Sequence, residues 1–158
     1  MYSAKQIADW ILGKVNIEKG DTISPLKLQK LLYYCQAWHY TIFHEPVFNE
    51  RIEAWMHGPV VPSQYARFAN VPLYGCIDIP NAGREDVCLS GKTLELLEEV
   101  MNIYGERSAS YLEKLSHSEQ PWKQTRGNKE EYERSNEEIP LSLMAEYYSS
   151  IQGKNEEE

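Results

Sequence analysis

The run Ser24-Pro-Leu-Lys-Leu-Gln-Lys-Leu-Leu-Tyr-Tyr-Cys-Gln-Ala-Trp-His39, continuing to Ile42, decides how this chain folds. Serine followed by proline starts a helix: the hydroxyl satisfies one free amide of the first turn and the proline removes another. Leu28, Leu31, Leu32, Cys35, Trp38, His39 and Ile42 then recur at helical spacing as one stripe, with Lys27, Lys30, Tyr34 and Thr41 away from its centre. The pattern predicts a long central core helix, stopped by Pro46, in a mainly helical domain.

Upstream, Ser3-Ala-Lys-Gln6 has the form of a capping box, and Ala4, Ile7, Ala8, Ile11 and Val15 follow it as a first amphipathic helix that ends between Gly13 and Gly20. Downstream, Arg51–Met56 alternates: Ile52, Ala54 and Met56 share one face of a short strand, and Arg51, Glu53 and Trp55 the other. Gly58-Pro59 then forces the turn of a small hairpin, aiming the Trp55 ring at the central helix. Pro62 opens a third helix through Tyr65 and Phe68.

Between 70 and 90, Pro72, Gly75, Pro80 and Gly83 interrupt brief β-like pieces, which fits two edge strands or an irregular loop equally. Ser90 and Ser108 are candidate caps for helices carrying Leu94, Leu97, Met101 and Tyr104, and then Tyr111, Leu112 and Leu115, with Gly105 between them. Pro121-Trp122 ends a helix and anchors the chain beyond it. Residues 124–138 read as a solvated connection, after which Leu141, Met144, Ala145, Tyr148 and Ile151 form a terminal helix that docks on the core. The expected domain is 1–151, with 152–158 a disordered acidic tail.

The 158 residues, 42% of them hydrophobic, suffice for one domain that needs neither metal nor disulfide to hold its core. Cys35, Cys76 and Cys88 are odd in number and lack C-x-x-C spacing, so free thiols in a reducing compartment are expected. No stretch approaches the ~18 apolar residues of a membrane span, and the start of the chain does not read as a leader, so the expected location is the cytoplasm. With 16 Lys+Arg against 24 Asp+Glu, the net charge of −8 argues against broad binding to nucleic-acid backbones.

Chemistry is sparse. The glycines form no phosphate cradle, and His39, His44 and His57 lack the register of a helical metal pair, so no cofactor and no metal are expected. Cys35 and His39, four apart on a helix, have the spacing of a nucleophile and its base, yet both lie on the apolar stripe, where a desolvated thiol is inert. Glu53 and His57 flank Trp55 and read either as an acid–base pair or as the hydrogen bond that holds a turn. Lys5, Lys27 and Lys30 read as a small basic patch or as ordinary solvated lysines. The 11 Tyr, 4 Trp and 3 Phe exceed what one core helix can hide, which fits a partner surface or a thick aromatic core.

Three segments carry a resemblance: Ser24 to His39, Ile52-Glu-Ala-Trp-Met-His-Gly-Pro-Val-Val-Pro-Ser-Gln-Tyr65, and Leu115-Ser-His-Ser-Glu-Gln-Pro-Trp122. Together they resemble the Panacea-domain, or SocA-like, proteins, also described as phage-associated GepA-type proteins. Lys27, Gln29, Lys30, Tyr33 and Tyr34 match the first motif, Trp55, His57, Gly58, Pro59 and Tyr65 the second, and His117, Pro121 and Trp122 the third, where Ser116 stands in place of the family's frequent threonine. The resemblance implies a non-enzymatic antitoxin that binds a cognate protein toxin. Its alternatives are an adaptor that delivers the toxin to a Clp-type protease, or a phage-associated regulatory protein without a toxin. The motif words are expected to be mainly structural, and Tyr33, Tyr34, Tyr40 and Tyr65 are the candidate partner-binding residues, on an acidic surface suited to a basic partner.

Overall fold

The computed structural model describes residues 1–156. Seven α-helices and one two-stranded antiparallel sheet make up the described fold: α1 (Ala4–Gly13), α2 (Pro25–Phe43), β1 (Glu53–Trp55), β2 (Gly58–Val60), α3 (Pro62–Arg67), α4 (Gly91–Tyr104), α5 (Ala109–Ser118), α6 (Gln120–Arg126) and α7 (Leu141–Glu156). The expected helical class with a small hairpin is what is found. Three serines start helices as their positions imply. Ser3 makes both halves of a capping box with Gln6, and Ser24 and Ser108 accept the amides of Lys27 and Tyr111. Ser90 precedes α4 without a side-chain bond. α2 ends at Phe43, ahead of Pro46, where His44 takes a left-handed conformation and donates its amide to the Tyr40 carbonyl.

α2 is the hub, with α1, α3, α4, α5, α7 and β2 packed around it. The single apolar stripe expected for it is therefore too narrow: Lys30, Tyr34 and Thr41 are buried along with the leucines. Its polar groups survive burial because each finds a partner. Gln36 accepts the Val47 amide at 2.8 Å and donates to the Phe48 carbonyl at 2.7 Å. Two turns earlier, Gln29 does the same for Val61, accepting its amide at 2.8 Å and donating to its carbonyl at 3.4 Å. His39 bonds the Glu45 carbonyl at 2.6 Å and the Thr93 hydroxyl at 3.0 Å, joining α2 to α4.

The hairpin turns at Met56-His57, because Trp55 pairs with Gly58 and Ala54 with Pro59. Gly58-Pro59 thus lies in the second strand, one step beyond the expected turn. The segment 70–90 is irregular apart from a 3-10 turn at Ile79–Asn81. Pro121 opens α6 directly after α5 ends, so it starts one helix as well as stopping another. α7 reaches Glu156, overlapping the stretch where a loose tail was expected; 157 and 158 lie outside the described residues.

α7 docks on α2 through tyrosines around a buried acid. Tyr34 and Tyr148 donate to the Glu119 carboxylate at 2.7 and 2.9 Å, and the Tyr33 and Tyr148 hydroxyls lie 2.9 Å apart. Burial pushes the Glu119 carboxyl up from 4.5 to about 7, against the pull of the two hydroxyls. A carboxyl with its folded pKa raised stabilises fully below 4.5 and loses that contribution as pH rises to about 7. Thermal melts across that window are expected to show the wild type losing several degrees relative to Glu119→Gln, whose side chain does not ionise.

Cys35 is buried and Cys76 and Cys88 are exposed. Burial pushes the Cys35 thiol well above its ordinary range. Iodoacetamide is therefore expected to modify Cys76 and Cys88 promptly in the folded protein and Cys35 only on unfolding, read by mass spectrometry.

Candidate functional site

The hairpin has backbone groups that no third strand satisfies, and side chains from the sequence motifs supply the partners. Lys30, fully buried, reaches the Pro59 carbonyl at 3.4 Å, and Gln29 brackets Val61. On the other strand, Arg126 donates to the Ala54 carbonyl at 3.1 Å, and the Trp122 indole donates to the Trp55 carbonyl at 2.8 Å. Burial pushes the Lys30 ammonium down from 10.5 to about 7, with the Glu113 charge opposing. Lys30 thus contributes nothing to a basic surface patch.

Beside this hairpin lies a half-open groove of about 630 Å³. Leu26 and Gln29 come from α2, Trp55 and Val60 from the strands, Met56 and His57 from the turn, Tyr65 from α3 and Leu73 from the following loop. The far wall is Arg134-Ser135-Asn136, part of a strap that pairs with β1 through Ala54 donating to the Glu137 carbonyl and Ile139 to the Ile52 carbonyl, both at 2.8 Å. Arg126 holds the strap from beneath, donating to the carbonyls of Glu130 at 2.7 Å and Glu133 at 2.5 Å.

The Trp55 ring packs edge-on against Tyr65, centroids 4.8 Å apart, and its indole donates to Glu53 at 2.8 Å. Its ring partner is therefore on α3, where the central helix was expected. Tyr65 is 41% exposed, so an aromatic pair stands at the mouth of the groove. On the hairpin turn His57 pairs with Glu113 at 2.9 Å, and Tyr74 donates to the same carboxylate at 3.0 Å. Burial raises the Glu113 carboxyl, but His57 and Tyr74 outweigh it and hold the group below the ordinary carboxylate value.

Of the four tyrosines expected to face a partner, Tyr65 alone borders the groove. Tyr33 and Tyr34 are 1% and 0% exposed, packed into the tyrosine cluster, and offer no surface. The half-buried Tyr40 sits eleven residues beyond Gln29 on α2, roughly 16 Å along the helix. Lys27 is half-buried beside a second cavity, near Asp21. His117 stacks on Trp122 at 4.0 Å under the hairpin, with Pro121 buried next to it. Glu53 and His57 do not meet, since Glu53 serves Trp55 and Arg51 while His57 serves Glu113. Among the described residues no three histidines, cysteines or acids converge on a point, so His39, His44 and His57 are not brought together. Glu113, Arg126 and the strap are site components that periodicity did not disclose. Arg126 looks like any charge of a polar stretch until its carbonyl partners are in place.

Fold and site together define a small helical domain that holds an aromatic-rimmed groove on a rigid hub. The family described as "Antitoxin SocA-like, Panacea domain" matches residues 28–123, from α2 through the hairpin to α6. This chain belongs to that family. It is also 38% identical over 132 residues to a protein named antitoxin SocA from Caulobacter vibrioides (strain NA1000 / CB15N), covering 75% of this chain and 68% of that protein. No solved structure matches. Membership supports an antitoxin role, and no helix among the described residues is long and apolar enough to cross a membrane.

Proposed function

We propose that the protein neutralises a cognate protein toxin in the cytoplasm by binding it directly at the groove, with no covalent bond made or broken. The observation that carries this reading is the Trp55–Tyr65 pair at the mouth of an apolar groove in a protein of an antitoxin family. Large aromatics with a polar tip, set beside an apolar floor, are the side chains that dominate protein-binding energy. The candidate reactive groups support the same reading, since Cys35 is buried and His57 and Glu53 are engaged in structural bonds. The acidic net charge favours a basic protein over nucleic acid.

The test is co-expression with the protein encoded by the neighbouring gene, scoring growth on toxin induction and co-purification. Wild type is expected to rescue growth and form a complex, and Trp55→Ala/Tyr65→Ala to bind at least about 30-fold more weakly, as loss of a ~2 kcal/mol hot spot implies. No rescue and no complex would defeat the reading. Delivery to a Clp-type protease is distinguished in the same cells: sequestration leaves the toxin's half-life unchanged or longer, and delivery shortens it.

A further inference from the structure

We infer that the junction of α1, α2 and the end of α4 is a second ligand site, one that holds a small zwitterion with an aliphatic side chain, of the α-amino-acid class. A half-open cavity of about 380 Å³ lies there and shares no lining residue with the groove. Its size falls in the range of about 300–1,000 Å³ in which compact ligands are enclosed. Ile11, Ile23 and Leu31 are buried and give it an apolar floor. Unlike the groove, its lining carries charge of both signs: Lys14 from α1, Asp21 from the connection, Lys27 from α2 and Glu106 just past α4.

Lys27 is the cation left over for a ligand. Among its companions in the first motif, Gln29 and Lys30 bond the hairpin backbone and Tyr33 and Tyr34 bond within the tyrosine cluster. The Lys27 ammonium, half-buried in the cavity, bonds to no group among the described residues. Lys14 is already engaged, by Glu98 at 3.3 Å and by the Trp10 ring beneath it. Burial pushes the Lys27 ammonium below its ordinary value, with the charge of Asp21 opposing. Asp21 is thus near enough for its charge to reach Lys27, while no direct ion pair joins the two. Asp21 and Glu106 are both exposed, and neither carboxylate is in an ion pair among the described residues. A molecule with a carboxylate next to an ammonium bridges that gap, its carboxylate on Lys27 and its ammonium towards Asp21 and Glu106, and lays its aliphatic part on the floor. A simple anion would meet the two carboxylates with like charge, and a simple cation would meet Lys27.

The test uses the full chain, labelled with nitrogen-15, and three probes on one aliphatic frame: L-leucine, 4-methylpentanoate, which lacks the ammonium, and 3-methylbutylamine, which lacks the carboxylate. Amide chemical shifts followed through a titration are expected to move with leucine in residues 11–15, 21–31 and 101–106. Leucine should bind at least about tenfold more tightly than either analogue, the worth of one charge-assisted hydrogen bond. Lys27→Met keeps the aliphatic stem and drops the charge, so it should bring leucine down to the level of the amine. Asp21→Asn/Glu106→Gln changes only exposed side chains and should bring leucine down to the level of the carboxylate. Circular dichroism melts of both variants should match the wild type to within a few degrees, which separates a lost ligand contact from a damaged fold. No binding, shifts centred elsewhere, equal affinities for the three probes, or leucine binding that survives Lys27→Met would overturn the inference. None of these outcomes bears on toxin binding, which is read separately by growth rescue.

Discussion

Gly58→Ala is expected to lower the melting temperature by roughly 10 °C or more, as a loss of a few kcal/mol implies for a domain of this size. Two causes add. Gly58 has φ +112°, a conformation that L side chains rarely adopt. A Cβ there would also lie 2.7 Å from Lys30 Nζ and 3.0 Å from Ser116 Oγ. Lys30 has no room to retreat, being enclosed by α2 and the hairpin. Gly83→Ala is the control, since Gly83 has φ +66° and nothing within 4 Å of the added carbon. Circular dichroism melts should show a drop of only about 1 kcal/mol there, so the difference between the two variants reports the clash with the buried amine together with the greater backbone strain at φ +112°.

Trp122→Ala is expected to cost about 3–5 kcal/mol, the range for deleting a large buried aromatic. It removes the ring stacked on His117, the ring beneath the Arg126 guanidinium at 4.9 Å, and the indole bond to the Trp55 carbonyl. Urea denaturation checks the size. Trp122→Phe keeps an aromatic ring and drops the N–H, so it should lose less. Hydrogen exchange should rise first in residues 129–139, because Arg126 loses the surface on which it rests while it grips the strap.

The helix starts were legible because a cap is local chemistry: a serine, its next three residues and the apolar spacing beyond them suffice. Ser3, Ser24 and Ser108 needed nothing distant. The burial of Lys30 was not legible, because its acceptor is a carbonyl 29 residues downstream and its spacing is that of a surface lysine. Tyr33 and Tyr34 failed as partner residues for the same reason. A tyrosine at a helix edge and one bonded to a buried acid 85 positions away look alike in sequence. Trp55 and Tyr65 were both singled out by residue type, but their contact depends on the hairpin turning at Met56-His57, one step from where glycine and proline pointed. The motif words were legible as words, and their physical meaning emerged only when Gln29, Lys30 and Trp122 were seen to serve backbone atoms of the hairpin.

That service closes the small sheet to strangers. Pro59 has no N–H to offer and its carbonyl is taken by Lys30, while Ala54 and Ile52 are engaged by the strap. A visiting polypeptide finds no vacant ladder on either margin, so recruitment by strand addition is blocked, as is edge-to-edge aggregation of copies of this chain. Recognition is thereby confined to side chains, and a surface can change its preferred visitor by altering rim residues without disturbing the backbone that carries them.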